Sequence, residues 1–274
     1  MLVIIGIVIG LLLGLTGAGG SVFAVPLLMM LGDFSIHQAI TLSLAAVAAV
    51  TLYGTVRNLT NQTILWKPAA LLACTGILGA PLGQMLATMM NEMLLAMGFS
   101  LLAIIIAVRM WFTATTMPEA SKIVRSSHLS LDKAKGVLCR FSPNGEFQLR
   151  PKCMSGLLSG GFLVGVLSGL FGVGGGFLII PLLLLLSQIS MIQAVSTSLV
   201  VITLISCTGF ISHLAFGEIH FLPFASLAWL IIGGLSGMYV GQLISHRIAN
   251  AQLQKTFSIG LLLVAITLFY LQTT

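Results

Sequence analysis

Two glycine clusters are the part of this sequence best suited to bind a ligand. One runs from Gly10 to Gly20 and is followed by Pro26. The other runs from Gly165 to Gly176 and is followed by Pro181. Glycine permits the unusual backbone angles of a helix break and lets a ligand approach the backbone closely. A helix that restarts after such a break presents free N–H groups and its positive dipole end. Two such ends could bind an anion without a buried lysine or arginine.

The predicted substrate-binding residues lie in the two breaks and in the helix that follows each of them. They are Gly17, Gly19, Gly20, Ser21, Ser43, Gly172, Gly174, Gly175, Gly176 and Ser198. The hydroxyls of Ser43 and Ser198 could donate to an anionic oxygen, or could bond back to carbonyls of their own helices. Other glycines, at four-residue spacing as in Gly6, Gly10 and Gly14, indicate tight helix packing.

Few other residues in the apolar segments could take part in chemistry. His213 is predicted near the end of a helix, where it either couples transport to protons or is a histidine at the membrane interface. No metalloprotease or nucleophile-elbow motif occurs, so we predict no enzymatic activity, no metal and no cofactor. The four cysteines show no paired spacing, and we expect Cys139 and Cys153 to be reduced. Ser35 and Gln38 have the spacing of a helix capping box.

The composition predicts the elements that position these residues. Of 274 residues, 58% are hydrophobic and only 7% are charged, with a mean hydropathy of +1.12. Soluble domains carry about 25% charged residues, so we predict an all-α polytopic membrane protein. Eight apolar segments are predicted: 2–31, 36–56, 68–89, 93–113, 154–186, 191–212, 221–245 and 253–271. The first and fifth exceed the roughly 20 residues that span a bilayer, and each contains a glycine cluster.

The chain is an internal duplication. An offset of 155 residues relates Gly10–Leu44 to Gly165–Leu199, and 16 of these 35 aligned pairs are identical. We therefore predict a first membrane repeat at 1–113, a basic linker at 114–152 and a second membrane repeat at 153–274. Each repeat has four segments and opens with a glycine-broken discontinuous helix.

The loop charges predict how the repeats are oriented. Seven basic and three acidic residues give the linker a net charge of +4, which predicts a cytoplasmic location. The linker could form a hairpin around Ser142–Gly145 or remain a mobile tether. The fifth segment either spans the membrane or turns back within it. Re-entry fits the loop charges better and would make the two repeats inverted, as in many carriers.

At the two glycine motifs the sequence resembles the TauE/SafE family of sulfite exporters and related anion permeases. The resemblance rests on Gly14–Ser21 with Pro26 and on Gly169–Gly176 with Pro181, supported by the pairs Gly79/Gly83 and Gly237/Gly241. It covers both halves but not the linker. Ser21 stands where the second repeat has Gly176, so the two half-sites need not be equivalent.

The resemblance implies two four-segment repeats in the plasma (inner) membrane and transport of a small, often sulfur-bearing anion. We therefore expect a secondary transporter of a sulfur oxyanion or organosulfonate. A passive anion channel and a carrier of another small organic anion remain the alternatives. The expected partners are the anion and the lipid bilayer, without nucleic acid; a homodimer is left open.

Overall fold

The computed structural model is nearly all helical, as the composition predicted. It describes residues 1–17, 19–32, 34–59, 64–116, 140–141, 147–148, 151–187, 189, 191–216, 224–245, 258–260 and 262–263. Its α-helices are α1 (Leu2–Thr16), α2 (Ala24–Gly32), α3 (Ile36–Leu59), α4 (Trp66–Met89), α5 (Glu92–Thr116), α6 (Pro151–Phe171), α7 (Gly176–Leu186), α8 (Met191–Phe216) and α9 (Phe224–Ser245). A 3-10 turn, Gly19–Phe23, precedes α2.

Five helices of the described part are long and apolar enough to cross a membrane. The qualifying stretches are Ile36–Leu59, Trp66–Met89, Cys153–Phe171, Ile192–Ala215 and Ala225–Ile244, and shorter apolar helices cover Leu2–Thr16, Gly20–Gly32 and Glu92–Val108. The prediction of an all-α polytopic membrane protein is therefore confirmed. Most of the eighth predicted segment, 253–271, lies outside the described residues.

Both long segments are broken where the glycines predicted a break. Helix α1 ends before Gly17 (φ 74°), whose N–H donates to the Leu13 carbonyl at 2.7 Å. Helix α6 ends before Gly172 (φ 68°), whose N–H donates to the Ser168 carbonyl at 2.9 Å. Glycine adopts such positive φ angles without the steric cost that a side chain brings, so each cluster ends its helix.

After the second break the chain folds back on itself. A Cβ placed on Gly160 would lie 2.5 Å from Leu182 Cδ2, and one on Gly156 would lie 3.0 Å from Leu186 Cδ2. Residues later in α7 thus contact residues earlier in α6, so the two helices form an antiparallel hairpin. In the first half, Gly20 similarly lies against the backbone of Leu12 and Leu13. The α6–α7 contacts fit the re-entrant alternative for the fifth segment.

The two halves are joined by close helix packing. Helix α1 lies along α9 and α4 lies along α6, while α3 crosses α8. A Cβ on Gly10 would lie 1.9 Å from the Gly234 carbonyl oxygen, and one on Gly165 would lie 2.2 Å from that of Gly76. Only glycine fits at such backbone contacts, so the packing role predicted for the four-residue spacing is confirmed.

Helices α3 and α8 hold equivalent places in the two halves and run antiparallel. Thr41 Oγ1, near the start of α3, lies 3.3 Å from His213 Nδ1 near the end of α8. Further along α3, Thr51 Oγ1 lies 3.0 Å from Thr203 Oγ1, earlier in α8. In proteins with inverted repeats, the equivalent helices of the two repeats run antiparallel.

The described part of the linker contains a short hairpin. Strand β1 (Arg140–Phe141) pairs antiparallel with β2 (Phe147–Gln148), and Arg140 lies opposite Gln148. Of the two alternatives for the linker, the hairpin is therefore the one present, although its turn lies outside the described residues. The expectation that Cys153 is reduced is wrong, because this residue is disulfide-bonded. Cys74 and Cys207 are free thiols.

Candidate functional site at the helix breaks

The second break lies against the crossing of α3 and α8. A Cβ on Gly172 would lie 2.8 Å from Ile40 Cα, and one on Gly174 would lie 3.0 Å from Val47 Cγ1 and 3.3 Å from Ile202 Cγ2. Val47 is close to the midpoint of α3, so the break reaches the middle of the helical bundle. The chain then enters α7 from this interior position.

The start of α7 is an uncapped helix N-terminus in the protein interior. Its N-cap residue Gly175 has φ 67°, and no side chain caps the helix. The Leu178 N–H donates to the Gly175 carbonyl at 3.1 Å, whereas the amides of Gly176 and Phe177 have no acceptor within the helix. Aligned peptide dipoles place roughly half a positive charge at this end. The geometry is suited to an anion.

The two predicted hydroxyl donors have different partners. The Ser43 hydroxyl donates to the Gly172 carbonyl in the second break. The Ser198 hydroxyl instead donates to the Val195 carbonyl of its own helix at 2.8 Å. Leu199 contacts Gly54 of α3, so the neighbouring Ser198 lies beside the part of α3 that is about 12 residues further along that helix than Ser43. At a rise of 1.5 Å per residue this is roughly 18 Å, so the two serines do not form one site.

The first break differs in local structure from the second. No α-helix restarts near Ser21, because the 3-10 turn occupies Gly19–Phe23 and α2 begins only at Ala24. Ser21 is fully buried, and a Cβ on Gly17 would lie 2.2 Å from Val195 Cγ1. The turn packs against α7, so the two broken segments meet, but their half-sites are not equivalent.

Further hydroxyls, not identified from the sequence, lie at the same crossing. Thr51 and Ser206 are related by the repeat offset, as Ser43 and Ser198 are, and continuing that alignment would have found them. Thr51 Oγ1 donates to the Val47 carbonyl at 2.7 Å. Ser206 Oγ is buried without a hydrogen-bond partner among the described residues. It lies 2.8 Å from the place of a Cβ on Gly174.

His213 is a buried residue that connects three helices. It is only 1% exposed, so its side chain lies inside the helical bundle. Its Nε2 lies 3.4 Å from the Gly169 carbonyl oxygen near the end of α6, and its Nδ1 lies 3.3 Å from Thr41 Oγ1 on α3. Thr41 Oγ1 is also 2.9 Å from the His37 carbonyl oxygen. His213 therefore links α3 and α8 to the broken helix just before its break.

Two glutamines flank the ends of the broken helices. A Cβ on Gly169 would lie 3.1 Å from the backbone nitrogen of Gln84 in α4, and one on Gly14 would lie 3.0 Å from the backbone nitrogen of Gln242 in α9. The Gln84 side chain is buried, and its Oε1 has no partner among the described residues. No group of three or more His, Cys, Asp or Glu residues able to hold a metal ion occurs in the part of the chain that is described.

Comparison with known proteins places this architecture in a family. The family model "Sulfite exporter TauE/SafE" matches residues 2–268. The chain belongs to the TauE/SafE family. It is therefore an integral membrane protein of a transporter family, as the glycine motifs indicated.

Several curated relatives of this TauE/SafE chain carry the name "Probable membrane transporter protein". One from Xylella fastidiosa (strain Temecula1 / ATCC 700964) is 28% identical over 96% of this chain and 91% of its own length. YunE of Bacillus subtilis (strain 168) is 28% identical over 98% of this chain and 97% of its own. MJ0441 of Methanocaldococcus jannaschii is 26% identical over 94% and 90%. No solved structure matches the chain significantly.

Proposed function

We propose that this TauE/SafE chain is a secondary carrier of a small anion, specifically a sulfur oxyanion or an organosulfonate, in the plasma membrane. The observation that carries the proposal is the start of α7, an uncapped helix N-terminus at the middle of a membrane-embedded bundle. Backbone is left irregular at membrane depth only where protein or a wet cavity lines it. A binding site is the functional reason to keep such a break.

The chemistry around the break favours negative charge. The described residues of α7 and α8 include no Asp, Glu, Lys or Arg, and on α3 the one such residue is Arg57 in its last turn. The site therefore offers amide and hydroxyl donors together with a helix dipole, and no described carboxylate repels an anion there. Donors fixed in a low-dielectric interior interact with an ion more strongly than they would in water.

The fold supports alternating access. Each half contributes a broken segment that reverses at its glycine cluster, and the equivalent helices α3 and α8 run antiparallel. We propose that the repeats are inverted and that the two broken segments enter from opposite membrane faces. Rocking one half against the other would then expose the same site to each side in turn.

We further propose that His213 couples transport to protons. When His213 is neutral, the Thr41 hydroxyl can donate to Nδ1 while Nε2–H donates to the Gly169 carbonyl. When it is protonated, both ring nitrogens donate, and the Thr41 hydroxyl turns to the His37 carbonyl. The titratable group of α3 that interacts electrostatically with His213 is His37, and α8 itself carries Cys207.

His213→Asn tests this coupling, because the equivalent position of the first repeat is Asn58. We expect the variant to retain anion exchange at equal pH on both sides but to lose accumulation driven by a pH gradient. Wild-type accumulation by the variant would contradict the coupling role. The Ser100→Ala variant, altered in α5 where the hydroxyl bonds to the Ala96 carbonyl of its own helix, serves as the control.

We also propose that the linker is cytoplasmic, as its net charge indicates. The disulfide at Cys153 would be unusual in that compartment, so the two features make opposite predictions. In a cysteine-free background, Asn144→Cys separates them. If the linker is cytoplasmic, a membrane-impermeant maleimide labels this cysteine only after the cells are permeabilised. Labelling in intact cells would place the linker outside.

Counterflow in proteoliposomes tests the carrier function. Liposomes loaded with unlabelled sulfite, thiosulfate, methanesulfonate or sulfate receive a trace of labelled sulfite or methanesulfonate outside. A carrier shows saturable uptake that depends on the internal anion and persists when the membrane potential is held at zero. Uptake that follows conductance alone would establish the channel alternative. No response to any sulfur anion would remove the specific substrate class.

A further inference from the structure

Two buried serine hydroxyls beside the second break lack hydrogen-bond partners. Ser168 on α6 and Ser206 on α8 are both 0% exposed, and neither hydroxyl bonds to any described atom. Membrane-buried hydroxyls commonly bond back to a carbonyl of their own helix. Thr51, Ser100 and Thr203 do so here, at 2.7, 2.9 and 2.7 Å. An unsatisfied buried hydroxyl is costly, so these two require a separate explanation.

Both hydroxyls belong to residues that face the glycines just before α7. Ser206 Oγ lies 2.8 Å from the place of a Cβ on Gly174, and Ser168 Cβ lies 3.7 Å from that of a Cβ on Gly175. Gly175 is the N-cap of α7. The orphaned Ser206 hydroxyl and the Cβ that carries the Ser168 hydroxyl therefore lie beside the two glycines that precede the free amides of α7. The hydroxyls and the amides can all donate to oxygen.

The charge of the ligand follows from the groups available. The hydroxyls and amides are neutral, and the α7 dipole supplies roughly half a positive charge. Burying an ion without compensation is costly, and in a continuum description the cost rises with the square of the charge. Because the compensation available is the same for either ion, a monovalent anion leaves less uncompensated charge at this site than a divalent one does.

We propose that Ser168 and Ser206, with the first amides of α7, bind the oxygens of a monovalent oxyanion such as bisulfite or an organosulfonate, and that this site excludes divalent oxyanions. The inference rests on the proposed carrier function and adds the hydroxyl ligands and the charge selectivity. Both hydroxyl oxygens are sealed from solvent, so this conformation is closed. The break must move away from α6 and α8 before the anion enters.

The two halves differ at this point. The equivalent of Ser206 is Thr51, whose hydroxyl is satisfied by the Val47 carbonyl, and the equivalent of Ser168 is Leu13. Only the second half thus combines an uncapped helix start with orphaned hydroxyls among the described residues. The anion site is asymmetric and belongs to the second break.

Alanine variants test the assignment. Ser168→Ala, Ser206→Ala and the double variant are compared with Ser100→Ala, whose buried hydroxyl bonds to the Ala96 carbonyl of its own helix. Binding is measured by methanesulfonate-dependent thermal stabilisation in detergent, and transport by counterflow. Sulfate, a similar oxyanion with two charges, is the selectivity probe.

Because the removed hydroxyls are unsatisfied without ligand, we expect unfolding temperatures in the absence of anion to be unchanged or higher. The methanesulfonate Kd should rise about tenfold or more for each hydroxyl removed. Ser100→Ala should leave the Kd unchanged, and wild type should show no saturable sulfate uptake.

Two results would overturn this inference while leaving the carrier function intact. One is a double variant that binds and exchanges methanesulfonate as wild type does. The other is wild-type counterflow as effective with sulfate as with methanesulfonate. If wild type exchanges no anion at all, the carrier proposal fails and this inference fails with it.

Discussion

Substituting Gly174 by alanine tests the geometry of the second break through its effect on the free energy of unfolding. Gly174 has φ 68°, and an L-residue in this region costs about 1–2 kcal/mol. The new Cβ would lie 2.8 Å from Ser206 Oγ and 3.0 Å from Val47 Cγ1, and such overpacking costs about 1–3 kcal/mol. We therefore expect Gly174→Ala to lower the free energy of unfolding by about 2–5 kcal/mol.

The contact with Ser206 can be separated from the backbone strain by a double-mutant cycle. In a Ser206→Ala background the closest contact is gone, so Gly174→Ala should cost about 1 kcal/mol less than in wild type. Gly209→Ala is the matched control. It lies in α8, and its Cβ would meet only the flexible end of Leu44, at 3.3 Å. We expect the control to change stability by less than about 1 kcal/mol.

Reversible unfolding in mixed micelles with increasing SDS, followed by circular dichroism, gives these free energies. Gly174→Ala with the stability of Gly209→Ala would refute the left-handed, tightly packed break described here. An additive cycle would show that Ser206 does not contact the break.

Three further variants probe the rest of the fold. Ser35→Ala removes the capping box of α3 and should lower the free energy of unfolding in SDS by about 1 kcal/mol without changing counterflow. An unchanged free energy of unfolding would mean that the cap does not stabilise the helix. Gly165→Ala would place a Cβ 2.2 Å from the Gly76 carbonyl oxygen, so no monodisperse protein is expected on size-exclusion chromatography, and a normal peak would contradict the α4–α6 contact. Tyr239→Leu removes the aromatic ring whose centroid lies 5.3 Å from the Arg57 guanidinium carbon and should lower the free energy of unfolding by about 0.5–1 kcal/mol. A variant as stable as wild type would show that this contact does not contribute to stability.

The sequence was sufficient for those features that depend on local chemistry. Apolar runs predicted the spans, and the clusters at Gly17 and Gly172 predicted the breaks because positive φ angles favour glycine. The spacing of Ser35 and Gln38 predicted a capping box whose two hydrogen bonds are present at 3.3 and 3.4 Å. Each of these features is specified by a few neighbouring residues.

The candidate site was only partly predictable, because its contacts join residues far apart in the chain. Ser43 and Ser198 are equivalent in sequence, yet one hydroxyl bonds to the opposite half and the other to its own helix. Whether the Ser206 hydroxyl bonds back to its helix or stays unsatisfied depends on how closely Gly174 packs against it. The distance between Gly174 and Ser206 cannot be read from the residue types alone.

The position of a bound anion tests the central claim most directly. Crystals grown with bromomethanesulfonate would locate the ligand through the anomalous scattering of bromine. The proposed function predicts a peak beside Gly175 and Gly176 at the start of α7, in contact with the α3–α8 crossing. A peak confined to the basic linker or the membrane surface, with the α7 start closed as it is here, would contradict it.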